Sequence, residues 1–537
     1  MEITYQPYYT DPEFQSLIER IHPPRVCIDN DACQDCTLVK MISVSSMGLF
    51  LFDDSGPKAK LERFRIPSID MAFSQVDSAN KHGILLEMVQ VLTDLDLVIS
   101  KSYISSDGGW LMDGQCVYPP SYIYNMTFFY TNSYDAWVAV FHVTDQLGNK
   151  VTDETLIVYI QQALSDSRRR GGGIPKELQA CLKQEVKPCH VSTEYTAIEM
   201  TGRDRPGLIS EISAALYELR CHVTAAVVWT HNARVACIIH IEDGLKGGPI
   251  MVPKRLAQVH EKLESVVDAH HGSGECRSVR LTAPAAGRTH TERRLHQLMY
   301  ANRDYEQCQG CDGSCRQWNG CTKTHVTIEA CREKGYSVVN LRCRDRTKLL
   351  FDTVCALTDM HYVVFHAAIS SKGTMADQEY FIRRQDGCSL NTQNERQELA
   401  QCLIAAIERR VSDGLRLELC TQNKMGLLSD LTRVFRENGL SITRAEIGTH
   451  GEKATGSFYV TDASGDEANL RTVELVRQEI GGSDLMVYKS PSGTSRASSS
   501  SISRTSSGEV EERVKFSLGN LWSQLERFSE NLGFTKS

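Results

Sequence analysis

Four stretches of the chain repeat one alternation of apolar and polar positions. A short strand-type run leads into a polar turn, and the turn leads into apolar residues at helical spacing. Thr196-Ala197-Ile198-Glu199-Met200 runs into Gly202-Arg203-Asp204-Arg205-Pro206-Gly207 and then Leu208-Ile209. Leu415-Arg416-Leu417-Glu418-Leu419 runs into Asn423-Lys424-Met425-Gly426 and then Leu427-Leu428. Ser337-Val338-Val339-Asn340-Leu341 runs into Asp345-Arg346-Thr347-Lys348 and then Leu349-Leu350, and an earlier stretch ends in Asn80-Lys81-His82-Gly83 before Ile84-Leu85. Two β-rich runs follow each helix, as in Tyr362 to Ile369 with Glu379 to Ile382, or Leu440 to Ile447 with Ser457 to Val460. The turns Ser371-Lys372-Gly373 and His450-Gly451-Glu452 between them make each pair a hairpin. A second helix comes next, as over 397–410, where Leu399, Leu403, Ile404 and Ile407 fall on one face.

The order β-α-β-β-α-β is the ferredoxin-like split βαβ unit. The expected fold is therefore α+β, with four tandem ferredoxin-like βαββαβ repeats. Their boundaries are read as an N-terminal segment 1–35, repeat 1 over 36–165, a linker 166–193, repeat 2 over 194–282, a Cys-containing linker 283–335, repeat 3 over 336–413, repeat 4 over 414–490, and a Ser-rich tail 491–537. Two helices cover one sheet face of such a unit, leaving its edges or its other face to pair with a neighbour.

These residues resemble the ACT domain, a small regulatory module that binds amino acids. The turn Gly202 to Leu208 is similar to that of repeat 2 in plant ACT-repeat (ACR) proteins, as are Leu415 to Thr421, Arg444-Ala445-Glu446, Leu350 to Cys355 and the tail Phe516 to Leu521. The resemblance covers most of residues 11–490. Similar repeats form the regulatory end of bacterial uridylyltransferases that sense glutamine. The resemblance implies a non-catalytic protein that binds a free amino acid between paired repeats and signals amino-acid status to a protein target. It also implies homo-oligomers through ACT pairing. The alternative is an interaction scaffold whose repeats bind no metabolite.

The turns supply a chemical reason. Free N–H groups at a helix start suit a carboxylate. Gly207 and Gly426 let a ligand approach the backbone, and Asp204 or Asn423 can accept from an ammonium group. With the family added, the candidate contacts are Asp204, Arg205, Gly207, Leu208, Asn423, Gly426, Leu427, Asn80 and Gly83. The bland reading makes Asp204, Asn423, Asn80 and Asp345 simple N-caps. Lys348 replaces the glycine in repeat 3 and fills the close-approach position there.

Repeat 1 is too long. Phe141 lies 58 positions after Gly83, whereas the matching Phe458 lies 32 after Gly426. Excising 114–139 restores that spacing, and excising 41–75 restores the strand before the turn. Both cuts fall inside expected strands, so the two segments read either as translated introns or alternative exons, or as genuine loops. In the second case repeat 1 would carry two bulged strands and be the repeat least suited to binding.

Composition narrows the rest. Charged residues are 23% and the net charge is −8, which argues against nucleic acid as a partner. No apolar run reaches the roughly 20 residues a bilayer requires, and no leader pattern opens the chain. The cytoplasm or nucleus is expected, with the 19 Cys as thiols. Cys308, Cys311, Cys315, Cys321 and His325 match no standard zinc spacing, so neither metal nor cofactor is expected. Arg168-Arg169-Arg170 reads as a basic linker, and 511–535 as an amphipathic docking segment. The motifs GxxxxGK[ST], HExxH and GxSxG do not occur.

Overall fold

A computed structural model describes residues 25–44, 83–106, 136–165, 195–269, 277–282, 290–306, 324–331, 335–411, 414–481 and 484–488. The basic run 168–170, the cysteines from 308 to 321, Asn80, and the tail 491–537 lie outside these residues. Unit 1 comprises β1 (Arg25–Asp29), β2 (Thr37–Val44), α1 (Ile84–Asp94), β3 (Val98–Ser105), β4 (Ala136–Thr144) and α2 (Glu154–Ser165). Unit 2 comprises β5 (Thr196–Arg203), α3 (Leu208–Glu218), β6 (Cys221–His231), β7 (Arg234–Asp243), α4 (Pro253–Asp268) and β8 (Ser278–Thr282), and α5 (Thr291–Ala301) follows it. Unit 3 comprises β9 (His325–Cys331), β10 (Tyr336–Arg344), α6 (Leu349–Asp359), β11 (Tyr362–Lys372), β12 (Met375–Arg384) and α7 (Gln393–Glu408). Unit 4 comprises β13 (Leu415–Gln422), α8 (Leu427–Glu437), β14 (Leu440–His450), β15 (Lys453–Asp462), α9 (Leu470–Ile480) and β16 (Leu485–Tyr488).

The units pair alternately inside one chain. Strand β3 joins β11, giving an eight-stranded antiparallel sheet from units 1 and 3 in the order β1-β2-β4-β3-β11-β12-β10-β9. Strand β6 joins β14, giving a second sheet from units 2 and 4 in the order β16-β13-β15-β14-β6-β7-β5-β8. Each sheet shares one core with its paired helices. Leu208, Ile212 and Leu216 of α3 meet Leu428, Leu431 and Phe435 of α8 in the second, and Leu86 and Val89 of α1 meet Phe351 and Val354 of α6 in the first. Each of the four second strands (β3, β6, β11, β14) shifts register once against its hairpin partner, after Ile99, Val223, Val364 and Ile442. A bulge there increases strand twist just before the seam with the paired unit.

Two boundaries need correction. Units 2 and 4 are βαββαβ, but units 1 and 3 are ββαββα: their outer strand position is filled from ahead by β1 and β9. Residues 25–29 therefore belong to unit 1, and 325–331 to unit 3. The cause in unit 3 is chain length, since α7 ends at Glu408 and β13 begins at Leu415, too close for another strand between them. The linker 283–335 likewise holds α5, whose Leu295, Leu298 and Met299 pack on Trp229, Ala236 and Ile238 of the second sheet.

The interruptions also need new ends. Strand β2 runs through to Val44 and β4 starts at Ala136, and these ends pair with each other, Met41 with Ala139 and Val44 with Ala136. Met41, Trp137 and Ala139 are buried. The β2–β4 ladder shows no register shift, so the bulge of unit 1 sits in β3 and not in the two long strands. Residues 45–75 and 114–135 lie outside the described residues.

Candidate functional site

All described turns close in one way. The first turn residue donates its N–H to the tip of the following hairpin: Asp204 to Ala233 O at 2.9 Å, Asp345 to Thr374 O at 2.8 Å, and Asn423 to Glu452 O at 2.7 Å. The N-cap of the next helix is the last turn residue, held left-handed: Gly83 at φ 93°, Gly207 at 83°, Lys348 at 63° and Gly426 at 83°. Asp204, Asn423 and Asp345 are thus not N-caps, and the capping alternative fails for them. A basic residue in the turn grips an acid in the first helical turn. Arg205 makes a two-pronged bond to Glu211, Arg346 reaches Asp352 at 2.7 Å, and Lys424 reaches Asp430 at 2.8 Å. Arg205 is therefore committed to fastening its own turn.

The turns of units 2 and 4 meet across their seam. Ser213 and Thr432 share a hydrogen bond at 2.8 Å between α3 and α8. Thr230 Oγ1 donates to Thr443 O at 2.9 Å and Thr449 Oγ1 to Thr224 O at 3.0 Å, a reciprocal pair. At each end a helix side chain of one unit covers the turn glycine of the other. A Cβ on Gly426 would meet the Tyr217 ring at 2.7 Å, and one on Gly207 would meet Arg436 Cδ at 3.0 Å. Under Tyr217 lies a cleft lined by Ser213, His222, Thr224, Asn423, Ser429 and Thr449. Its cavity is about 20 Å³, room for a water or two. Asn423 and His222 face each other across it at 3.3 Å, and buried Leu427 forms part of its wall. Leu208 is buried at the equivalent place in unit 2, and burial pushes the Asp204 carboxyl up to about 6.

The seam of units 1 and 3 is different. Gly83 is the more open turn, its nearest neighbour being Thr358 Cγ2 at 4.0 Å from a Cβ. Lys348 spans from its left-handed position to Glu292 of α5 at 3.0 Å, which closes the turn of unit 3. Around that contact lies a buried ion network absent from any sequence expectation. Arg410 bonds Asp352 at 2.7 Å and Glu292 at 3.0 Å, Arg409 bonds Asp304 at 2.6 Å, and His296 Nε2 donates to Asp352 at 2.9 Å. Arg410 also lies 4.9 Å over the Trp229 ring. Helix α5 thereby locks the helix layer of the first sheet onto the bare face of the second. Burial disfavours the Asp352 and Glu292 charges, but Arg410 with Arg346 and Lys348 holds both carboxyls well below their usual range.

A second grouping also escaped the sequence: Cys33, Cys36 and His142 converge at the edge of unit 1. The Cys-x2-Cys spacing was readable, but its histidine lies far along the chain.

Ferredoxin-like units paired edge to edge, with their turns facing each other across a seam, define a tandem ACT-type protein. Comparison with known proteins agrees. The model of the ACR family N-terminal ACT domain matches residues 69–118 and 125–171, and the ACT domain model matches 416–480. ACT domain-containing protein ACR1 of Arabidopsis thaliana is 51% identical over 543 residues, covering 99% of both chains. ACT domain-containing protein ACR3 of the same plant is 42% identical, covering 98% of this chain and 100% of its own. A bifunctional uridylyltransferase/uridylyl-removing enzyme of Gluconobacter oxydans is 30% identical over 114 residues, covering 19% of this chain and 12% of its own. The chain belongs to the ACR family of ACT domain-containing proteins. The names of these plant relatives carry no catalytic activity. Among the described residues, no helix is long and apolar enough to cross a membrane.

Proposed function

We propose that the protein is a non-catalytic sensor that binds a free amino acid at the seam of units 2 and 4, and passes amino-acid status to a protein target in the cytoplasm or nucleus. The observation that carries this reading is the cleft under Tyr217. The N-terminal end of α8, with Leu428 and Ser429, forms one wall and supports a carboxylate. Asn423, Ser213 and Thr449 supply further polar groups. The cleft is closed as it stands, so entry requires Tyr217 to swing away from Gly426. Tyr217 as a residue is 53% exposed, so its outer side borders solvent. Tyr217 bridges two units, so its displacement would alter how they associate. Pairing is satisfied within the chain, which leaves the outer edges β1, β9, β8 and β16 as the edges for homo-oligomers. Calorimetric titration with each of the twenty amino acids tests the reading. A sensor gives saturable heat with at least one; heat with none would favour a scaffold.

Asp204 does not line that cleft; it sits in the matching turn of unit 2 and gives a separate check. Its folded carboxyl, at about 6, lies above the roughly 3.9 of an unfolded Asp. The folded state then holds the proton more tightly, so stability falls as pH rises from about 4 to 6 and levels off above. Asp204→Asn should flatten that slope in ligand-free melts. If Asp204 faces a ligand ammonium, the same change should weaken binding about tenfold to a hundredfold at pH 7.5. An unchanged affinity would remove Asp204 from the site.

A further inference from the structure

The hairpin of β1 and β2 presents Cys33-Gln34-Asp35-Cys36 at one edge of the first sheet. Strand β2 pairs with β4, setting Thr37 opposite Val143 and Leu38 opposite His142. That register carries Cys36, just before the strand, against His142. Cys36 Sγ lies 3.2 Å from His142 Nδ1 and 3.0 Å from Cys33 Sγ. The three donor atoms lie within 4.8 Å of one another. Cys36 and His142 are buried, while Cys33 is partly exposed.

We propose that Cys33, Cys36 and His142 form a zinc site of Cys2His type, with its fourth coordination position open to solvent. Two sulfurs and an imidazole nitrogen are the ligand set that zinc favours. Bonds of about 2.3 Å to sulfur and 2.0 Å to nitrogen place tetrahedral ligand atoms roughly 3.5–3.8 Å apart. From 3.0 Å and 3.2 Å, Cys33 and His142 therefore each need to move less than 1 Å away from the Cys36 sulfur, and their own separation already lies within 4.8 Å. A disulfide would instead need the sulfurs to close to about 2.05 Å. Lys40, the nearest cation on β2, is already paired with Asp29 at 3.0 Å, and two thiolates balance the charge of the ion. Partial exposure of Cys33 leaves the approach for the ion and for a fourth, water ligand. Bound zinc would tie the β1–β2 hairpin to β4 across more than a hundred residues of chain.

Cobalt(II) is the probe. Full-length protein, reduced and stripped with chelator, should show a thiolate-to-cobalt absorption band that zinc displaces. Cys33→Ser, at a partly exposed position, should remove one equivalent of cobalt while keeping the wild-type circular dichroism spectrum. Cys36→Ser and His142→Gln should do the same. Cys308→Ser with Cys311→Ser controls for the distant cysteines and should leave that equivalent in place. Zinc should raise the melting temperature of wild type and leave that of Cys33→Ser unmoved. The proposal is overturned if wild type and Cys33→Ser take up equal cobalt. It is equally overturned if peptide mapping under a cytosol-like glutathione ratio shows a Cys33–Cys36 disulfide that excess zinc does not prevent.

Discussion

Asp352→Asn should destabilise the protein by about 3–5 kcal/mol, the cost of breaking a buried ion pair by removing one partner. Asp352 is fully buried and accepts from Arg410, Arg346 and His296. Losing its charge leaves the Arg410 and Arg346 guanidinium groups in a dry site with one fewer carboxylate against them. The measurement is urea unfolding at pH 7, followed by tryptophan fluorescence, since Trp229 lies beneath Arg410. Arg410→Met should cost a similar amount, and the double variant less than the sum of the singles, because the two changes remove one interaction. A loss below about 1 kcal/mol for Asp352→Asn would mean water reaches the site. The network also sets an acid limit. Asp352 and Glu292 are held well below the ordinary range and Asp304 near 2, so their contribution is complete above the unfolded values of about 4 and is lost as pH falls through the folded ones. His231 works the other way. Burial alone would lower it, but Asp304 and Glu408 raise it, so its contribution is complete below about 6.5 and fades as pH climbs past its folded value.

If the seam of units 2 and 4 binds an amino acid as proposed, Gly426→Val should weaken that binding at least tenfold, and it should cost about 1–3 kcal/mol of stability. A β-branched residue at φ 83° is strained wherever it sits, and its Cβ falls 2.7 Å from the Tyr217 ring. Tyr217→Ala alone should leave the ligand-free melting temperature nearly unchanged, since the ring is half exposed, and should open the cleft. Combining the two separates the causes: steric expulsion of Tyr217 disappears, and backbone strain stays. Gly207→Val should behave more mildly, because the atom it meets, Arg436 Cδ, is part of a flexible chain at 3.0 Å. Lys348→Gly should not reduce binding, since that turn is already closed onto Glu292. Equal loss from Gly426→Val and Lys348→Gly would remove the turn glycines from the site.

Much of the architecture could be read from periodicity alone. The strand, turn and helix of each unit announce themselves through apolar spacing; Gly207 and Gly426 were read as positions for a ligand, and what stands against them is Arg436 and Tyr217 of the paired unit. The outer strands β1 and β9 were not. They are short, and they precede their units where units 2 and 4 have theirs behind, so they read as linker. Helix α5 carries a legible apolar stripe in Leu295, Leu298 and Met299. Its meaning lay in Glu292 and His296, whose partners Lys348, Asp352 and Arg410 lie 56 to 118 residues further along the chain. Charges of that kind look like ordinary solvated surface until tertiary structure pairs them. The acids Glu211 and Asp430 were similar: each lies six positions after its basic partner, across a turn rather than along one helix face.

Alternate pairing of the units has a consequence for biosynthesis. Unit 1 leaves the ribosome long before its partner: Ser105 bonds His366, 261 residues later, and Ser213 bonds Thr432, 219 residues later. At about 5–20 residues per second, each early unit waits roughly 10–50 s with its inner strand, β3 or β6, unpaired. A bare strand edge of that kind accepts any compatible neighbour. The nearest one on a polysome is the same unit of the adjacent nascent chain. Each early unit is therefore exposed to a competition between joining the neighbouring chain and waiting for its own second half.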